Sequence, residues 1–193
     1  MKAPMPEQLP TAIVGGWLAA VRRIESPNHD ARPEGETVSL IVVHAISLPP
    51  GEFGGTAIVD LFSNRLDPGA HPYFAQLDGL RVSAHFLLRR DGEMTQFVSC
   101  ERRAWHAGLS LWQGRSRCND FSVGIELEGD DDHPFDDRQY RRLSDLLVTL
   151  RAHYPIQAVV GHSDIAPGRK TDPGPCFDWR RLDATGQWPG VCR

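Results

Sequence analysis

The sequence lacks a long apolar segment and a strong charge of either sign. No run of about 18 consecutive apolar residues, the length that spans a bilayer, occurs in the chain. Residues 1–10 do not combine a basic segment, an apolar run and a small-residue cleavage site. The formal net charge is -4 at pH 7, which gives no general attraction for nucleic acid or an anionic membrane. We therefore expect a cytoplasmic protein that binds neither nucleic acid nor membranes.

Closely spaced cysteines are also absent. The four cysteines, Cys100, Cys118, Cys176 and Cys192, are far apart and form no Cys-x-x-Cys pair. This spacing argues against a compact disulfide scaffold and against a thiolate zinc site. We expect reduced thiols with structural roles.

The chain shows no internal repeat, low-complexity tract or interdomain linker. Its 193 residues suit one domain with a substantial core, which we assign to residues 1–193. Residues 1–38 are rich in proline and lack periodicity, so they predict an arm wrapped on the domain surface. Residues 183–193 predict a C-terminal tail. Nothing indicates a protein partner, and we expect a monomer.

Residues 160–175 concentrate titratable side chains between prolines and glycines. The preceding apolar residues predict a short buried strand, so His162 would lie at a strand end. A turn at Pro167-Gly168 could return the chain and bring Asp172 beside His162. A histidine and a carboxylate are two of the three protein ligands of a catalytic zinc site. On this segment alone, an ordinary loop with a capping aspartate is an equal alternative.

The missing third ligand is predicted to be His44. Residues 39–43 form a continuous apolar run rich in β-branched residues, which is typical of a strand buried on both faces. His44 ends this strand as His162 ends the later one. A single histidine after a core strand is more often only hydrogen-bonded, so the hypothesis depends on the pairing of the two segments.

Residues 121–129 alternate between apolar and polar side chains, which predicts a strand. Glu126 lies in mid-strand, where a carboxylate that faces a cleft can act as a general base. The alternative is a polar outer face, and for Glu128 we prefer that interpretation.

Other patterns complete the predicted fold. Residues 81–88 and 94–98 predict two strands joined by a turn at Asp91-Gly92. His85 is expected to be a hydrogen-bonded core residue, with support of a metal ligand as the alternative. Asp136 and Gln139 predict a capping box at the start of a helix that packs on the core. Trp105 and His106 indicate either the wall of a ligand groove or an aromatic plug over the sheet edge.

Five motifs together resemble a known family. They are H-x-I-S-L-P-P-G at 44–51, R-V-S-A-H at 81–85, W-H-A-G at 105–108, C-N-D-F-S-V-G-I-E-L-E-G at 118–129 and G-H-x-D-I-A-P-G-R-K-T-D-P-G at 161–174. This set is similar to the AmpD-type N-acetylmuramoyl-L-alanine amidases of bacterial cell-wall recycling, which share their fold with a phage lysozyme and with peptidoglycan recognition proteins. The resemblance implies an α/β domain with a mixed central β-sheet flanked by helices and a zinc cleft at the strand ends.

The resemblance also implies roles for individual residues. It makes His44, His162 and Asp172 the ligands of Zn²⁺. It makes Glu126 the general base and Lys170 the residue that stabilises the oxyanion of the tetrahedral intermediate.

Further positions would contact a muropeptide, the expected small-molecule substrate. By resemblance, Arg81 and Arg117 would bind carboxylates of the stem peptide, a task that suits the bidentate guanidinium group. Trp105 and His106 would line the side that binds the muramyl sugar. Ala45 occupies a position where the family usually has a substrate-contacting asparagine, so this contact would be weakened.

The implied reaction is hydrolysis of the amide between the lactyl group of 1,6-anhydro-N-acetylmuramic acid and L-alanine. One alternative is a non-catalytic peptidoglycan-binding module, although such a module needs neither metal ligands nor Glu126 and Lys170. The other is an amidase acting on intact peptidoglycan, against which we weigh the missing signal peptide.

Overall fold

The structure is a computed structural model that describes residues 12–19 and 21–183. Apart from Asp183, the predicted tail at 183–193 lies outside the described residues, as does the start of the predicted arm.

The described residues form short strands and four α-helices around one main sheet. The strands are β1 (Ile13–Val14), β2 (Trp17–Leu18), β3 (Arg22–Arg23), β4 (His29–Ala31), β5 (Leu40–Ile46), β6 (Phe86–Leu88), β7 (Met94–Gln96), β8 (Arg102–Ala104), β9 (Leu111–Trp112), β10 (Arg115–Ser116), β11 (Ser122–Glu128) and β12 (Ala158–Gly161). The helices are α1 (Ala57–Phe62), α2 (Asp137–His153), α3 (His162–Ile165) and α4 (Arg180–Asp183), with 3₁₀ turns at Phe74–Leu77 and Cys118–Asp120.

The main sheet is mixed, as predicted. Its six strands lie in the order β12-β5-β11-β6-β7-β3. Strands β12, β5, β11 and β6 are parallel neighbours, whereas β6 and β7 pair antiparallel across the predicted turn. The register places Glu126 beside His44 on the adjacent strand. Because parallel strands end at one edge of a sheet, the side chains at their carboxyl ends meet there.

Both faces of the sheet are covered. On one face, Ile41, Val43 and Ile125 pack in a core cluster with the leucines of α2. On the other, Leu40 and Val42 pack with Ala107, Cys118 and neighbouring apolar residues. All seven residues of β11 are buried, because the strand lies near the middle of a sheet covered on both sides.

This double coverage corrects the interpretation of Glu128. Its side chain does not face solvent, since the residue is only 2% exposed. Its carboxylate accepts hydrogen bonds from Arg89 Nη1 at 2.5 Å, from the backbone N–H of Gly54 at 2.7 Å and from that of Arg90 at 3.2 Å. Apolar and polar alternation predicted the strand correctly but not the environment of its polar face.

The predicted capping box is confirmed. The side chain of Asp136 accepts from the backbone N–H of Arg138 at 2.9 Å, and the side chain of Gln139 accepts from the backbone N–H of Asp136 at 3.0 Å. Helix α2 therefore starts where the sequence indicated, and its apolar residues face the sheet.

Two other segments differ from expectation. The strand predicted at 81–88 is shorter, since only Phe86–Leu88 forms a ladder. Within the predicted arm, β3 joins the main sheet beside β7, so part of the arm is a sheet edge. Within the described residues, every helix is too short or too polar to cross a membrane.

Candidate metal centre

Three side chains converge at the carboxyl ends of the parallel strands. His44 lies near the end of β5, and His162 follows β12 as the first residue of α3. Asp172 returns to the same place because the backbone N–H of Ser163 donates to the carbonyl of Asp172 at 2.9 Å. The predicted return loop therefore exists and joins the predicted strand ends.

The donor atoms of these residues are close enough to share one cation. Nδ1 of His44 lies 3.0 Å from Nδ1 of His162 and 3.0 Å from Oδ2 of Asp172, and the last two atoms are 3.1 Å apart. Ligand atoms of a tetrahedral zinc ion, with bonds of about 2.0–2.1 Å, lie about 3.3 Å from each other. Two imidazole nitrogens and one carboxylate oxygen with this spacing fit a metal ion of that size. No other comparable group occurs in the described part of the chain.

The outer nitrogens of both imidazoles also have partners. Nε2 of His162 lies 3.1 Å from the carbonyl of Ala107, which only a protonated nitrogen can satisfy. Nδ1 of His162 is then the unprotonated nitrogen, as metal ligation requires. Nε2 of His44 lies 2.9 Å from Nδ1 of His106.

Burial keeps the imidazoles of His44 and His106 neutral. It lowers the pKa of His44 to about 4, against a smaller upward effect of its hydrogen bond to Asp172. Burial, and then the proximity of His44 and His85, lowers the pKa of His106 well below its ordinary value. Burial alone would raise the pKa of Asp172, but its hydrogen bonds to His162 and His44 lower it below the usual range. Neutral imidazoles and an ionised carboxylate are the protonation states that bind divalent metals.

Glu126 faces the same space from the neighbouring strand. Burial, and then the negative charge of Asp172, raises the pKa of its carboxyl well above the ordinary value, against an opposing effect of Lys170. Its Oε2 is buried and has no hydrogen-bond partner among the described residues. A raised pKa and an unpartnered oxygen beside a cleft are features of a general base.

The centre opens into a cavity of about 740 Å³. His44, Glu126, His162, Lys170 and Asp172 all lie on its wall. The lining also includes apolar and acidic residues. The apolar residues include Pro50, Leu61, Phe62, Tyr73, Leu80 and Val82, and the acidic ones are Glu126, Asp130, Asp131, Asp132 and Asp172. A cleft of this size can hold a ligand much larger than water.

The residues predicted to contact substrate divide into two groups. Ala45, Trp105 and His106 line the cavity. Arg81 and Arg117 are not among its lining residues. Arg81 is exposed and donates to the carbonyl of Leu80, while Arg117 has a side chain 70% exposed and an ion pair with Asp120 at 3.0 Å.

Sequence reasoning missed the groups that surround the metal-site residues. Asn119 Oδ1 accepts from the backbone N–H groups of His106 and Ala107, at 3.2 and 2.8 Å. Arg169 donates to the carbonyl of Ala107 at 2.8 Å. Gly124 provides space, because a Cβ there would lie 2.4 Å from Cγ of His106. The signal that could have found this contact is a glycine inside a strand, which often marks a close approach.

Comparison with known proteins assigns this arrangement to a family. Residues 34–175 match the family model of N-acetylmuramoyl-L-alanine amidases. The 1,6-anhydro-N-acetylmuramyl-L-alanine amidase AmpD of Enterobacter cloacae is 58% identical over 171 residues, which cover 88% of this chain and 91% of that protein.

Comparison with solved structures leads to the same family. The crystal structure of a selenomethionine AmpD derivative matches with a TM-score of 0.88 and 57% identity, over 90% of this chain and 98% of that one. The N-acetylmuramyl-L-alanine amidase AmiD of E. coli, in complex with the substrate anhydro-N-acetylmuramic acid-L-Ala-D-gamma-Glu-L-Lys, matches with a TM-score of 0.57 and 30% identity, over 80% of this chain and 60% of that one. The convergent histidines and carboxylates thus lie in a chain that belongs to the N-acetylmuramoyl-L-alanine amidase family.

Proposed function

We propose that this protein is a zinc-dependent 1,6-anhydro-N-acetylmuramyl-L-alanine amidase of cell-wall muropeptide recycling. The reaction is hydrolysis of the amide between the lactyl group of the anhydro sugar and L-alanine. The observation that carries the proposal is the mutual spacing of 3.0–3.1 Å among donor atoms of His44, His162 and Asp172, beside Oε2 of Glu126, which no described residue hydrogen-bonds. The names of the relatives supply the substrate class.

The three donor residues would hold Zn²⁺. When bound, a zinc ion with three protein ligands lowers the pKa of a coordinated water to about 7 and polarises a substrate carbonyl. Glu126 would accept the proton of the attacking water and deliver it to the leaving amine of L-alanine. Burial suits this role, because it raises the pKa of Glu126 and leaves Oε2 without a donor among the described residues, so the carboxylate binds a proton readily.

Lys170 would stabilise the negative charge that develops on the carbonyl oxygen. It lies on the cavity wall, and its positive charge acts on both Glu126 and His44. Removing one such donor from a well-ordered site typically costs about 10²- to 10³-fold in kcat.

The substrate would fill the cavity beside the metal. Apolar lining residues, together with Trp105 and Ala45, would contact the sugar ring. Arg81 would bind a peptide carboxylate at the cavity edge, since its chain neighbours Leu80 and Val82 line the cavity. For Arg117 the support is the resemblance alone, and its exposed side chain would have to leave Asp120 in part. We further propose a monomer that acts in the cytoplasm, as the sequence led us to expect.

The test combines metal analysis with turnover of anhydromuramyl-tripeptide. The purified protein should hold one equivalent of zinc and cleave the substrate. Asp172→Ala should lose both, because two ligands rarely retain the ion. Asp137→Ala is a matched control, since it removes an exposed carboxylate that pairs with Arg181 away from the cavity.

Other outcomes separate the alternatives. Muropeptide binding without turnover by the zinc-loaded protein would identify a binding module. Cleavage of intact peptidoglycan at a rate similar to that of the tripeptide would contradict the specialised recycling role.

A further inference from the structure

We propose that His106 is a positioning residue that fixes the tautomer and ring orientation of the metal-site residue His44. This inference rests on the metal centre proposed above, but it concerns a residue that does not itself contact the ion. This role adds to the position of His106 in the cavity lining.

The imidazole rings of His44 and His106 are in direct contact. Nε2 of His44 lies 2.9 Å from Nδ1 of His106. The rings meet edge to face, with centroids 5.0 Å apart and planes 85° apart. A hydrogen bond through the edge of one ring restricts rotation of the imidazole about its χ2 angle, which is otherwise broad for histidine.

The chain of hydrogen bonds has one consistent proton arrangement. If Nδ1 of His44 faces the cation without a proton, its Nε2 carries the proton and donates to Nδ1 of His106. Nε2 of His106 then carries its own proton and can donate to Oγ of Ser122, 3.1 Å away. Both ring nitrogens of His106 thus have partners that agree with a proton on Nε2 of His44.

Strand β11 is built to accommodate this ring. Ser122, Gly124 and Glu126 lie on one face of the strand because their spacing is two residues. Ser122 accepts from the far side of the His106 ring, Gly124 leaves space for it, and Glu126 faces the cavity. A side chain at Gly124 would overlap Cγ, Cδ2 and Nδ1 of His106. Strand β11 therefore provides a hydrogen-bond acceptor, Ser122, and the space beside Gly124 that the ring of His106 occupies.

The same loop orients the other histidine. The carbonyl of Ala107, next in sequence to His106, lies 3.1 Å from Nε2 of His162. The loop itself is held by Asn119 at its backbone N–H groups and by Arg169 at the carbonyls of Ala107 and Leu109. Consecutive residues thus set the orientation of both imidazoles at the metal centre, one through a side chain and one through the backbone.

The test measures metal affinity and coordination geometry without substrate. The probe is Co²⁺ alone, added to chelator-treated protein and followed by its visible d–d spectrum, with Zn²⁺ competition for affinity. We expect His106→Leu to weaken Zn²⁺ binding about 10- to 100-fold, the usual effect of removing a hydrogen-bond partner of a ligating histidine. His106→Asn should restore most of the affinity, because its Oδ1 lies near the position of Nδ1 and can accept the same proton.

Two further variants distinguish loss of the hydrogen bond that orients His44 from a general loss of packing around the site. Ser122→Ala removes only the outer acceptor and should weaken binding by less than His106→Leu. His85→Leu makes the same substitution at a buried neighbouring histidine, whose ring centroid is 5.8 Å from that of His106, and should leave the affinity within about threefold. The proposal is overturned if His106→Leu binds Zn²⁺ within about threefold of the unmodified protein, or if His106→Asn or His85→Leu is as weak as His106→Leu.

The unmodified protein provides a test that does not depend on folding of a variant. Long-range ¹H–¹⁵N correlation spectra of the zinc-loaded protein report the tautomer of each histidine. We expect His106 to be protonated at Nε2 and unprotonated at Nδ1. The opposite tautomer would refute the positioning role while the bound zinc and the turnover still supported the proposed function.

Discussion

Two glutamates at the end of strand β11, Glu126 and Glu128, lie on the same face of one strand and have opposite environments. Glu128 is 2% exposed and has partners for both carboxylate oxygens, including Arg89. Glu126 is 9% exposed, and its Oε2 has no hydrogen-bond partner among the described residues. The carboxylate of Glu128 is therefore held by hydrogen bonds within the protein. The carboxylate of Glu126 can instead accept a proton from a molecule in the cavity.

The difference indicates that Glu128 contributes to the stability of the fold, whereas Glu126 is placed for catalysis. A fully partnered carboxylate joins the end of β11 to the start of the β6–β7 turn and to the loop at Gly54. An unpartnered one costs stability when ionised, because burial without a partner disfavours the charge. Proteins retain such a cost mainly at functional sites. The comparison predicts that identical substitutions at the two positions will affect different properties.

The largest effect is expected from Glu126→Gln. Loss of the general base should lower kcat about 10²- to 10⁴-fold, the usual contribution of general base catalysis. The free energy of unfolding should stay the same or rise, since a neutral amide replaces a carboxylate that burial disfavours. Steady-state kinetics and chemical denaturation of the same sample check both statements. A fall in stability larger than that of Glu128→Gln would contradict the comparison.

The matched change Glu128→Gln should act mainly on stability. It leaves the guanidinium of Arg89, whose side chain is only 15% exposed, without its charged partner. Breaking a buried ion pair in this way costs about 3 kcal/mol. Urea denaturation measures the loss. Under conditions where the variant is folded, kcat should remain within about tenfold of the original value, and a greater loss would indicate that Glu128 has a part in catalysis.

The pH dependence of kcat/KM should sharpen the distinction. Burial, and then Asp172, raises the pKa of Glu126, so its basic form is lost at a higher pH than for an ordinary glutamate. Activity should fall about tenfold per pH unit below that pKa. Because Lys170 lowers the pKa of Glu126, Lys170→Gln should move this acid limb to higher pH as well as lower kcat. An acid limb that moved to lower pH would be inconsistent with the geometry.

The smallest effect is expected far from the cavity, at the start of α2. Asp136→Ala removes the helix cap and should cost about 1 kcal/mol without changing kcat. Hydrogen bonds from the side chain and backbone of Arg138 lower the pKa of Asp136. Its contribution is therefore present above the ordinary carboxyl pKa and is lost as the pH falls through the lowered value. Thermal unfolding at neutral and acidic pH should show that the difference between the two proteins shrinks in acid.

Local patterns predicted the framework of the site well. The apolar run before His44 predicted β5, and the Asp136–Gln139 pair predicted the start of α2, since each depends on residues near in sequence. The shorter β6 shows the limit of such patterns. Apolar residues after Arg81 matched a strand, but the backbone N–H of Ser83 bonds to the carbonyl of Trp105 in a loop instead of to a strand.

The errors and omissions involve contacts between distant residues. Alternation in β11 suggested a solvated outer face for Glu128, because a sequence does not show that loops and helices cover both sides of a sheet. His106 lines the cavity, but the sequence did not show that its Nδ1 lies 2.9 Å from Nε2 of His44, 62 residues earlier. Arg81 and Arg117 have residue types suited to carboxylates, but the fold places both outside the cavity wall, and their roles stay predictions.

By itself, the sequence determined where most of the strands and the long helix would lie, which histidines would lie at or near a strand end, and which family the chain resembles. Only the tertiary structure decided that Oε2 of Glu126 would lack a partner within the described part of the chain, that both oxygens of Glu128 would be hydrogen-bonded, and which nitrogen of each imidazole would face the metal centre. The physical reason is the sequence separation between the interacting residues. Periodicity and capping depend on neighbours within a few residues, whereas hydrogen-bond partners and burial at this site depend on the parallel register of β5, β11 and β12 and on a loop that reaches it from another part of the chain.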